Sequence, residues 1–141
     1  MKSRLIMVGL MVVLALSLLA CSTASKGTSV EVSIDDFMNQ KNISQQVAVP
    51  AGGVLTVTLG SNPTTGFKWI LAKISDETVL KQEGESEFVL PEKQIPGASG
   101  KEVWTFQALK AGTATISMEY SRPWEGGEKG VWTYTLTVTV K

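Results

Sequence analysis

From residue 30 onward the chain alternates apolar and polar residues, and that period commits it to half-buried strands. Successive side chains on a strand face opposite sides, so every second residue must suit the same environment. The last stretch is the clearest case: Trp132, Tyr134, Leu136, Val138 and Val140 interleave with Thr133, Thr135, Thr137 and Thr139. Trp104, Phe106 and Ala108 repeat the pattern, as do Ala114, Ile116, Met118 and Tyr120. Earlier segments predict further strands at Val30, Val32 and Ile34, at Val47 and Val49, at Leu55, Val57 and Leu59, at 68–72 and at 79–83. No stretch of comparable length has helical spacing.

Seven or eight short antiparallel strands in about 110 residues fit an all-β, immunoglobulin-like sandwich, with a barrel as the structural alternative. The chain of 141 residues has room for one ordinary core. In a sandwich, alternate connections lie at opposite poles. The turns near Gly52-Gly53, Asp76 and 110–112 then share one pole. The longer connections at 60–67, 90–101 and 121–130, richer in Gly and Pro, share the other. Binding residues concentrate on such loops when a rigid scaffold carries them.

The N-terminus has a different character. Residues 5–20 are almost wholly apolar, follow Lys2 and Arg4, and end at Leu18-Leu19-Ala20-Cys21. This reads as a signal peptide (1–20) with a lipobox, so that Cys21 becomes the lipidated first residue and 21–29 a flexible tether to a domain at 30–141. The expected location is the cell envelope, lipid-anchored and facing away from the cytoplasm. Cys21 is the only cysteine, so the domain must be stabilised by packing and without disulfides. Without Lys2 and Arg4, the 13 basic residues fall to 11 against 13 acidic ones, a net −2 that gives no reason to expect nucleic acid as a partner.

The chain contains no histidine. That removes Ser-His-Asp and Cys-His catalysis and His-ligated zinc, and no cofactor or metal is expected. Of the acidic pairs, Asp35 and Asp36 would point to opposite faces of a strand, while Glu83, Glu85 and Glu87 read as a solvated edge. A non-enzymatic binding role is the stronger expectation.

Three loop segments stand out. Asn62-Pro63-Thr64-Thr65-Gly66-Phe67 should form a stiff bend, with Pro63 fixing φ, Asn62 forced to extend and Gly66 free to take positive φ. Gly97, Ala98, Ser99 and Gly100 form a glycine-rich segment, and Arg122, Pro123 and Trp124 place an aromatic residue outside any alternating run. In this order and spacing the three resemble the chagasin family of cysteine protease inhibitors, with Ser99 standing where the family tends to have glycine. The resemblance spans about Val30 to Lys141. It implies reversible inhibition of papain-like proteases, with the 62–67 loop entering the cleft between the other two. A surface adhesion or envelope-scaffolding module is the alternative reading of the same sandwich.

Overall fold

The computed structural model describes residues 27–141; the expected signal peptide, Cys21 and residues 22–26 of the tether lie outside the described residues. In chain order the strands are β1 (Gly27–Val32), β2 (Asn42–Val49), β3 (Val54–Ser61), β4 (Lys68–Ile74), β5 (Leu80–Gln82), β6 (Glu87–Val89), β7 (Gly100–Ala108), β8 (Gly112–Ser121) and β9 (Trp132–Val140). One short helix, α1 (Ile34–Asn39), joins β1 to β2. One sheet is ordered β1-β3-β7-β5, with β6 also on β7, and the other is β2-β9-β8-β4. This is the expected two-sheet sandwich.

The inward faces are those the alternation assigns. Leu55, Val57 and Leu59 of β3 and Phe106 and Ala108 of β7 meet Ile116 and Met118 of β8 and Leu136 and Val138 of β9, all at most 1% exposed. Threonines alternate with them on the outer face of β9, where β-branching suits the pleat.

Four expectations need correction. The pairing is not antiparallel throughout: β1 pairs with β3 and β2 with β9 in parallel, and the consecutive β5 and β6, both antiparallel to β7, run in the same direction. The chain changes sheet between β1 and β2 and again between β2 and β3, so these parallel partners are not neighbours in sequence. Ile34 is not the end of a strand: Ser33 caps α1 there, its hydroxyl accepting from the Asp36 amide while the Asp36 carboxylate accepts from the Ser33 amide. Asp35 and Asp36 therefore occupy a helical first turn. Finally, β1 starts at Gly27, so residues 27–29 of the expected tether pair with Val54, Leu55 and Thr56.

Candidate inhibitory loops at one pole

All three loops emerge at the pole where β3, β8 and their partners end, and α1 sits there too. The first bend is held largely by hydrogen bonds among its own residues, side chain and backbone alike. Asn62 is extended (φ −122°, ψ 96°), Pro63–Thr65 make one 3₁₀ turn, and Gly66 closes it at φ 80° in the left-handed region. The Asn62 side-chain oxygen accepts from the Thr64 amide (3.2 Å) and hydroxyl (2.6 Å). The Asn62 carbonyl accepts from the Thr65 amide (3.3 Å) and hydroxyl (2.7 Å), and the Pro63 carbonyl from the Gly66 amide (3.0 Å). Both threonine protons are thus used within the loop, and the hydroxyls face outward as acceptors.

The third loop clamps this bend. Arg122 donates from Nε to the Thr65 carbonyl (3.1 Å) while its guanidinium lies 4.4 Å from the Phe67 ring centre. Trp124, 52% exposed, spreads over Gly66: a Cβ on Gly66 would come within 2.5 Å of the indole edge. The loop is stiffened by a turn in which the Gly127 amide donates to the Trp124 carbonyl, with Gly126 at φ 77°. Lys129 adds donation to the Arg122 and Trp124 carbonyls.

The second loop contributes a Pro-Gly turn, Ile95 to Ala98, with Gly97 at φ 80°. The Asn62 amide group reaches the Gly97 carbonyl (3.4 Å). Thr64 and Ala98 line one shallow depression between the loops. Two members of this segment stand apart from the tip. Ser99 lies beside Gly60 and the start of α1, and Gly100 is buried in β7, where a Cβ would strike Phe88 and the Val89 carbonyl. Positive φ is confined to glycines among the described residues, so Ser99 carries no backbone strain.

Beneath the bend lies a polar network that the loop motifs did not reveal. Glu102 is 8% exposed; its carboxylate accepts from the Trp69 amide (2.9 Å) and the Ser61 hydroxyl (3.3 Å). The Tyr120 hydroxyl lies 3.4 Å from Ser61 and accepts from the Asn62 amide (2.8 Å). One signal was available, since Glu102 shares the inward parity of Trp104 and Phe106. Burial pushes the Glu102 carboxyl above the ordinary range, opposed by the hydrogen bonds from Trp69 and Ser61 and by Lys68. The folded chain then holds that proton more tightly than the unfolded one, so this group's contribution to stability is fully present below about pH 4.3 and is lost as pH rises through the folded value. Glu102→Gln should flatten that slope in Tm measured against pH; parallel curves for the two proteins would contradict it.

The sandwich thus presents a clamped bend and two flanking loops at one pole. The chain belongs to the chagasin family of peptidase inhibitors (I42), whose model matches residues 48–138. Amoebiasin-2 of Entamoeba histolytica is 27% identical over 105 residues, covering 74% of this chain and 85% of that protein. Chagasin of Trypanosoma cruzi is 32% identical over 82 residues, covering 57% and 74%. The fold matches a crystal structure of a cysteine protease inhibitor from Entamoeba histolytica (TM-score 0.64, 19% identity, 82% of this chain and 98% of that one). It also matches PbICP-C, solved in complex with falcipain-2 (TM-score 0.59, 22% identity, 82% of this chain and 100% of that one).

Proposed function

We propose that this protein reversibly inhibits papain-like cysteine proteases by seating the 62–67 bend in the active-site cleft, with Gly97–Gly100 and Arg122–Trp124 on either side. The observation that carries this reading is the bend's hydrogen bonding. Such a protease cuts a peptide lying extended across its catalytic thiol, whereas here the Asn62 and Pro63 carbonyls are already bonded inside a 3₁₀ turn. Were a bond cut, the Tyr120 and Arg122 contacts would still hold both sides of the turn in place. A loop already ordered loses little freedom on binding, which favours tight association. Titrating papain with the protein should abolish hydrolysis near one equivalent; undiminished hydrolysis by every papain-like enzyme tried would refute the reading.

We also propose that Cys21 carries lipid and holds the protein to a membrane of the cell envelope. The support is the sequence of residues 1–21 together with the position of Gly27. That residue pairs with Val54 at the pole away from the loops, so a tether ending there leaves them directed outward. Membrane partitioning that Cys21→Ser leaves unchanged would count against it.

A further inference from the structure

Between α1 and the first bend runs a groove of about 410 Å³. Ile34, Met38, Phe67 and Trp132 give it apolar walls, and Thr65 and Arg122 form its edge toward the bend. The helix that builds one wall is firmly seated. Phe37 is fully buried, 4.7 Å from Trp69 and stacked 5.6 Å from Trp132, and the bare Gly60 backbone lets Ile34 approach where any Cβ would collide. Met38, on the same helix, is nevertheless 68% exposed. The helix precedes residue 48, where the family match begins.

Two observations say that a protein covers this groove. Among the described residues the exposed large hydrophobics gather at the loop pole: Met38, Trp124, Ile95 and the run Phe88–Leu90 are there, and Leu109 alone lies away from it. Exposed apolar surface concentrated in this way marks a contact face. The three loop segments also hold only thirteen residues, whereas a standard interface engages about 20–30 a side. Thr65 and Arg122 belong both to the loops and to the groove, so a protease seated on the bend continues onto α1.

Resting on the function proposed above, we infer that this groove is a fourth contact surface for the target protease. It receives an apolar side chain from the rim of the cleft, and Met38 is a specificity-determining residue. Being outside the cleft, the contact discriminates between proteases whose catalytic grooves are alike but whose rims differ. A flexible, polarizable Met at its edge suits an apolar occupant.

The test is a set of Ki values for the full chain, Met38→Lys, Met38→Leu and Leu109→Lys against a panel of papain-like proteases. Met38→Lys should weaken inhibition of at least one enzyme by about 10-fold or more, through faster dissociation, because it sets an ammonium against apolar surface. Met38→Leu should restore affinity, and Leu109→Lys, at the far pole, should leave it unchanged. Equal Ki values for Met38→Lys and the parent against every protease the parent inhibits would overturn the inference while leaving the inhibitor reading intact, even if the substitution alters self-association. Failure of the parent to inhibit any of them would overturn both.

Discussion

Thr64→Glu combined with Thr65→Glu should reduce inhibition of papain-like proteases by at least about 100-fold, equivalent to about 2.8 kcal/mol, with little change in Tm. Both residues are exposed at the tip of the bend. Their hydroxyls donate only to Asn62, within the loop, so the domain loses two local hydrogen bonds and no core contact. In a cleft, by contrast, each carboxylate is desolvated without a partner, and an unpaired buried charge is far more costly than a lost contact. A double variant that inhibits within a few-fold of the parent, as measured by tight-binding titration, would mean that the tip does not enter the cleft.

Trp69→Ala should have the opposite profile, lowering stability by about 3–5 kcal/mol and Tm by roughly 10–25 °C. Trp69 is 2% exposed, tilts against Phe37 (4.7 Å) and Tyr120 (5.1 Å), and donates from its indole nitrogen to the Gly60 carbonyl (3.0 Å). Truncation leaves both a cavity and an orphaned carbonyl directly below the bend. The matched comparison is Trp124→Ala, a half-exposed indole at the same pole, which should cost inhibition and move Tm by only a few degrees. Thermal denaturation of the two variants separates the roles, and similar Tm losses would contradict the division between scaffold and contact surface.

Much of this architecture was legible because period-two alternation acts through nearest neighbours. The parity of Leu55, Phe106, Ile116 and Leu136 is enough to assign the buried faces, and parity survives whatever the strand order. The bend at 62–67 was legible for the same reason, since Pro63 fixes its own φ and Gly66 can take the positive φ that closes the turn. What escaped depends on distant partners. Ile34 continues the parity of Val30 and Val32, yet a helix forms because Ser33 and Asp36 supply a capping box and Gly60, 26 positions on, makes room for it. Glu102 finds its partners at Trp69 and Ser61, 33 and 41 residues away, and Trp124 finds its seat on Gly66. The short β6 strand exists only as an addition to β7. Polar residues in these places answer to tertiary contacts, which no local pattern encodes.

The proposed mechanism has the bend plug a thiol protease's cleft without being turned over, and the most direct measurement of it is protection of the catalytic cysteine. Papain preincubated with one equivalent of the protein should resist alkylation by iodoacetamide, and mass analysis hours later should find Asn62–Phe67 uncut. Alkylation at the rate of the free enzyme, or cleavage inside that segment, would contradict the mechanism.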